Sequence, residues 1–231
     1  MSMAIIPDNI CDELKELFTD WAIQHSREPR ESTGRTFPCK IFMDEFIIPD
    51  HGAFASSFCT DGSTSLTGHY SGNKKPEIEV LFVLKEDSVY NRRQAGRMYP
   101  EKYGTFWFDQ CLENPYRIRY KRNFEAVLRK LSEDKIIHDT YSGDTPLGYM
   151  NINKRGGYGS TNTSRLRKYA ETYRDAINRQ ICIMKPKVIV CFGCFDIMER
   201  IIDIGTSALL LDVDHPSYSR FTPEFKHVKQ L

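Results

Sequence analysis

The stretch Glu79-Val-Leu-Phe-Val-Leu84, followed at once by Lys85-Glu86-Asp87-Ser88, decides how the rest of the chain is read. An apolar run of this length, rich in β-branched residues and bounded by charge, suits a strand buried on both faces, as parallel strands are. Charges that abut the end of such a strand sit where α/β folds place ligands, outside the carboxyl ends of the strands.

Working outward, the same punctuation recurs downstream. Residues 122–132 place Phe124, Val127, Leu128 and Leu131 at helical spacing. Leu147-Gly-Tyr-Met-Asn-Ile152 suits a second strand, whose end carries Asn151, Asn153, Lys154 and Arg155 and then Gly156-Gly157-Tyr158-Gly159. Ser164 can cap a long helix to about Met184, with Leu166, Tyr169, Tyr173, Ile177 and Ile181 on one face, and Lys185-Pro186 stops it. Lys187 to Phe192 reads as a third strand, Gly193 as a turn and 195–204 as a short helix. Leu209 to Val213 reads as a fourth strand and runs into Asp214-His215-Pro216-Ser217. Upstream, residues 8–25 form a helix with Asp8 as its N-cap and Ile10, Leu14, Leu17, Phe18 and Trp21 at helical spacing. Residues 27–38 connect it to a short extended segment at 40–48, and the Gly/Ser/Thr/Asn-rich residues 60–76 read as a flexible surface loop. Strands alternating with helices from residue 79 onward predict a parallel sheet of four strands with helical crossovers. The polar sets at 85–87, 151–155 and 214–217 then converge on one edge of that sheet.

Composition bounds the partners. The chain has 231 residues, 40% hydrophobic and 27% charged, which is enough apolar surface for a buried core and suits one α/β domain over 1–231. Within it, 79–217 reads as the core and 1–75 as an N-terminal extension. Lys+Arg of 32 against Asp+Glu of 31 gives a net charge of +1, so a wholesale polycation is excluded and any nucleic-acid contact must come from local patches. No apolar run approaches the ~20 residues a membrane span needs. The first dozen residues hold Pro7, Asp8 and Asp12 and do not read as a secretory signal, so a cytoplasmic location is expected. Seven cysteines, an odd number without an export signal, argue against a disulfide scaffold. The close pair Cys191-Phe-Gly-Cys194 reads as buried thiols at a strand end in preference to a redox or metal motif, since no second cysteine or histidine cluster completes a metal site. No metal and no cofactor are expected.

The converging residues have definite chemistry. Glu86 is a carboxylate at a strand end; partly desolvated, it can accept a proton from water, and the plainer alternative is a solvated turn. Asp87 suits a cap or loop position. His215 sits on a loop stiffened by Pro216, where an imidazole can donate to a developing oxyanion. Asn151 can read a nucleobase edge with its amide, and Asn153 is an equal candidate by chemistry. Basic residues gather in Arg117, Arg119, Lys121 and Arg122, in Lys154 and Arg155, and in Arg165, Arg167 and Lys168, with Tyr116, Tyr120 and Tyr158 interleaved. That combination suits phosphate contact and base stacking, although either run alone also suits a solvated helix face.

Together these segments resemble the uracil-DNA glycosylase superfamily: Val80-Leu-Phe-Val-Leu84 before a short catalytic motif, Asn151-Ile-Asn153-Lys154, Lys185-Pro-Lys-Val-Ile-Val-Cys-Phe-Gly193, and His215-Pro216-Ser217. The order and spacing match across 79–217, in the manner of uncharacterised bacterial members with Lys-Glu after the first strand. The resemblance implies a three-layer α/β/α fold of that family around a central four-stranded parallel sheet. It aligns Glu86 with the water-activating carboxylate, Asn151 with the base-reading asparagine and His215 with the histidine that stabilises the departing base. Leu84-Lys85-Glu86-Asp87 departs from the family's first motif, which usually begins with Gly and often carries a Pro. Cys11 and Cys39 do not reproduce the spacing of members that hold an iron–sulfur cluster.

Three functions follow as expectations. The first is hydrolysis of the N-glycosidic bond of a damaged or deaminated base flipped from DNA, with Glu86 and His215 catalytic. Asn151, Asn153, Lys154, Ser217 and a stacking aromatic such as Tyr90 or Phe106 would bind the base, and Arg117, Arg119, Lys121, Arg122 and Arg155 the nucleic acid. The second is a nucleic-acid or nucleotide binding module without turnover, which the altered first motif favours. The third is a small-molecule hydrolase that keeps only the fold. The partner expected is DNA in preference to RNA, with no membrane, and the protein a monomer or weak homodimer.

Overall fold

The computed structural model describes residues 12–27, 62–64, 78–88, 90–91, 97–98, 118–137, 147–157, 161–203, 205 and 207–231. In chain order these hold α1 (Asp12–Arg27), β1 (Gly62–Thr64), β2 (Val80–Ser88), β3 (Tyr90–Asn91), β4 (Arg97–Met98), α2 (Ile118–Glu133), β5 (Leu147–Gly157), α3 (Thr163–Thr172), α4 (Arg174–Met184), β6 (Val188–Phe192), α5 (Phe195–Ile201), β7 (Leu209–Val213) and β8 (Val228–Gln230).

The main sheet runs β1-β5-β2-β6-β7-β8. Its four central strands are parallel, pairing Val80 with Leu147, Val83 with Cys191 and Phe192 with Val213. The two short outer strands, β1 and β8, are antiparallel to their neighbours. The sheet is therefore six strands wide, not four, because an edge can recruit short segments that lack an apolar signature. One of these, Gly62–Thr64, lies inside the stretch 60–76 expected to be a loop, where it pairs with Tyr149, Gly148 and Leu147. The segment at 40–48 and the cap at Asp8 lie outside the described residues.

Period-two alternation splits the apolar residues between two faces. Val80, Phe82 and Leu84 of β2, with Leu147 and Tyr149 of β5, face α2 and its Phe124, Val127, Leu128 and Leu131. Leu81 and Val83, with Met150 and Ile152, face α1, α3, α4 and α5. Helices thus cover both faces. Phe124 stacks on Phe82 at 4.9 Å between ring centres and meets Phe192 edge-on at 5.2 Å, which pins α2 across β2 and β6. Gly148 lets the end of α4 approach: a side chain there would stand 2.8 Å from Met184 Cε and 2.9 Å from Leu81 Cδ1.

The long helix expected from Ser164 to Met184 is two helices that meet at Tyr173, whose φ of −107° and ψ of 23° break the α geometry. Its N-cap is Asn162, not Ser164; Asn162 Oδ1 accepts from the Arg165 backbone N–H at 3.1 Å. The stop at Lys185-Pro186 is present, with Lys185 in the left-handed region (φ 49°) and its N–H donating to the Ile181 carbonyl at 2.8 Å. Among the described residues no helix is long and apolar enough to cross a membrane.

Candidate functional site

Numbered among the parallel strands alone, the sheet order is 2-1-3-4. The chain leaves β2 to one side for β5 and returns to the other for β6, so the order reverses between β2 and β6. A crevice outside the carboxyl ends at such a reversal is the position where open α/β sheets bind ligands. Lys85 and Glu86 end β2 on one side of it, Gly193 follows β6 on the other, and the loop after β7 brings His215.

Register sets the level of each group. Glu86 stands directly opposite Asn153 on β5, and Asn153 Nδ2 donates to Glu86 Oε2 at 3.0 Å. The Thr161 hydroxyl also bonds the Glu86 carboxylate. Burial pushes the Glu86 carboxyl above its ordinary value of 4.5; the bonds from Asn153 and Thr161 and the charges of Lys85 and Arg165 only partly offset this. A carboxylate so placed is a stronger base than one in water.

The His215 loop is built by α2. With Phe124 locked on the sheet, the preceding turn projects Arg119, Tyr120 and Asn123 toward the loop. Buried Asn123 donates from Nδ2 to the Pro216 carbonyl at 2.7 Å, and Arg119 Nη1 donates to the Ser217 carbonyl at 3.4 Å. The Tyr120 ring meets His215 edge-on at 6.1 Å. The Ser217 backbone N–H donates to His215 Nδ1 at 3.3 Å, and Ser217 Oγ lies 2.7 Å from the same nitrogen. Because Nδ1 accepts, the neutral ring carries its proton on Nε2. Burial, with Lys85 adding to it, lowers the His215 pKa from 6.5 to about 4, so the ring is neutral around pH 7. His215 is thereby a neutral N–H donor, the form suited to a developing oxyanion.

Lys85 joins the two halves. Its charge acts on both Glu86 and His215. A side chain placed on Gly193 would stand 3.4 Å from Lys85 Nζ and 3.7 Å from His215 Cβ, so all three border the same space. Glu86 and His215 rise from strands two spacings apart, about 10 Å between backbones.

The expected residues divide accordingly. Glu86, Asn153, His215 and Ser217 belong to this edge, with Arg119 beside it. Arg122 is exposed and Lys121 partly buried on the same turn of α2. Asn151 is 1% exposed and its Nδ2 donates to the Tyr149 hydroxyl at 3.0 Å, so that amide nitrogen is engaged within the protein. Lys154 is a clear correction. Expected among the substrate-binding residues, it is fully buried beneath α1, with Nζ 4.9 Å from the Trp21 ring centre and donating to the Asn151 carbonyl. Period-two alternation along β5 explains it: Met150, Ile152 and Lys154 share the face covered by α1. Arg117, Phe106 and Tyr158 lie outside the described residues, as do the side chains of Tyr90 and Arg155.

Two contributors were missed by sequence reasoning: Asn123, which carries no local signal within a helical pattern, and Lys85, which stood in the quoted motif without a role. Cys191 and Cys194 are both buried, Cys194 Sγ donates to the Val83 carbonyl at 3.4 Å, and burial raises the Cys191 thiol well above its ordinary range. Buried thiols are poorly placed to act as nucleophiles, which fits the structural reading of this pair. Among the described residues no group of His, Cys, Asp and Glu is arranged to hold a metal ion.

Compared with protein-family models, curated proteins and solved structures, the chain matches none.

Proposed function

We propose that this protein hydrolyses the N-glycosidic bond of a damaged or deaminated base flipped out of DNA. What supports this reading is a desolvated carboxylate and a neutral Nε2–H imidazole at the carboxyl ends of β2 and β7, on one edge of the sheet. The sequence resemblance supplies the substrate class.

In this reading Glu86 takes a proton from water, whose oxygen attacks C1′ of the sugar. The C1′–N bond breaks, its electron pair leaves with the base, and His215 Nε2–H donates to the developing anion. A donor of this kind contributes about 3–4 kcal/mol to the transition state. Asn153, beside Glu86 and partly buried, is better placed to meet the base edge than Asn151. Arg119, Lys121 and Arg122 would meet phosphates at the rim, and flipping would cost a few kcal/mol.

The test is release of free uracil from a uracil-containing oligonucleotide. Release by the wild type, abolished in Glu86→Gln and His215→Ala, supports the reading; wild-type release no greater than that of the double variant refutes it. One observation favours a second reading, binding without turnover: Asn151 is 1% exposed and its Nδ2 is held by the Tyr149 hydroxyl. Salt-dependent binding to oligonucleotides with no product would favour that alternative.

A further inference from the structure

Lys85 is partly buried at the reversal point of the sheet, and no hydrogen bond or ion pair engages its ammonium among the described residues. Four other lysines are ion-paired. Lys130, Lys187, Lys226 and Lys229 each lie within 4.0 Å of a carboxylate oxygen: Asp134, Glu79, Asp214 and Glu199 respectively. The carboxylate next in sequence, Glu86, feels the charge of Lys85 but forms no ion pair with it. Consecutive strand residues point to opposite faces, and the Glu86 carboxylate is engaged by Asn153 and Thr161. Val83 pairs with Cys191, so two residues further on Lys85 and Gly193 stand level across the crevice. Gly193 contributes no side chain, which lets the Lys85 ammonium lie close to the turn, and His215 Cβ borders the same point.

We infer that Lys85 is a further catalytic residue of this site, a fixed cation that, with His215 Nε2–H, seats the negative charge of the departing base. A partly buried cation gains from an anion brought to it, and gains more as the charge on that anion grows. The neutral imidazole supplies a directed hydrogen bond, and the ammonium supplies the charge that the imidazole lacks. No proton need move from either group. The bond between C1′ and the base breaks, the electron pair goes to the base, and the base departs as an anion held beside Lys85. This inference rests on the glycosidic reading above.

The experiment compares wild type, Lys85→Gln and Lys85→Arg on oligonucleotides that carry uracil or 5-fluorouracil, the second being the better leaving group. Lys85→Gln should lower kcat for uracil about 100-fold with KM little changed. The deficit should shrink on 5-fluorouracil, and Lys85→Arg should recover part of the rate. A structural role would slow both substrates alike and would not be rescued by charge. Equal deficits on the two substrates, or full kcat in Lys85→Gln, overturn the inference while leaving the glycosidic reading intact. If the wild type releases no base, the glycosidic reading fails by itself, and the cation is probed with inorganic phosphate. Movement of the His215 ring signals by phosphate in the wild type and not in Lys85→Gln keeps the anion seat; no movement in either removes it.

Discussion

Asn153 Nδ2 donates to Glu86 Oε2 across 3.0 Å, and the two residues face each other directly on neighbouring parallel strands. The bond is set by strand register, so it orients the carboxylate without depending on a mobile loop. It also tempers the cost of burying that carboxylate without removing it, since burial still dominates.

Glu86→Gln should therefore separate activity from stability. The amide still accepts from Asn153 but cannot take a proton, so turnover should fall by about 10²–10⁴. A group whose folded-state pKa is raised contributes stability below its unfolded value and loses that contribution as the pH rises through the folded value. Once ionised, the buried Glu86 is thus a liability, and Glu86→Gln should raise Tm where the wild-type carboxyl is charged. Thermal melts at pH 4 and pH 7 check it, the gain being confined to the higher pH.

His215 carries the opposite sign. Its pKa is lowered from 6.5 to about 4, so as the pH falls through that window the unfolded chain takes up the proton first and stability falls. The groups that face the ring are Lys85 from β2, Tyr120 from α2, and Ser217 and Tyr218 from its own loop, with Arg119 held on the Ser217 carbonyl. A ring titration followed by NMR should give a midpoint near 4, with Nε2 protonated above it. In Lys85→Gln the midpoint should rise. A midpoint near 6.5 in the wild type would show an imidazolium-competent ring and remove the neutral-donor role.

Lys154 separates burial from nucleic-acid contact. Its ammonium lies between Trp21 and Phe18 and donates to the Asn151 carbonyl. Lys154→Met keeps the volume and loses that donor, and should cost about 1–3 kcal/mol of stability. It should leave the salt dependence of oligonucleotide binding unchanged. Neutralising Arg119 or Arg122 should instead lower the slope of log K against log salt by about 1 each, with little change in Tm.

These contrasts also show what a sequence exposes. Val80–Leu84, Val188–Phe192 and Leu209–Val213 were legible because strands buried on both faces are continuously apolar, and parallel pairing then sent their polar ends to one edge. Lys154 was not legible: a lysine after a strand reads as solvent-facing, and only the packing of α1 onto β5 buries it. The break at Tyr173 was hidden for a related reason. Tyr169, Tyr173 and Ile177 keep helical spacing across it, and the ring contact of Tyr173 with Trp21, at 5.8 Å between ring centres, is tertiary. Strands β1 and β8 are three residues each, Gly-Ser-Thr and Val-Lys-Gln, too short for any periodicity to register. For the site, residue type identified Glu86 and His215, whereas Asn123 emerges only once α2 is docked on the sheet.

Gly193 offers the last test, because two requirements meet on it. Its φ of 64° lies in the left-handed region, and its N–H donates to the Val213 carbonyl at 2.8 Å, tying β6 to β7. A side chain there would also touch Lys85 Cε and Nζ at 3.4 Å. Alanine meets both penalties: backbone strain of about 1 kcal/mol, hence a Tm lower by about 2–4 °C, and a methyl group against the ammonium. Asparagine tolerates the left-handed conformation but still crowds Lys85. Gly193→Asn should therefore recover much of the lost Tm without recovering the lost rate. Parallel recovery of Tm and rate would mean that the glycine serves the turn alone.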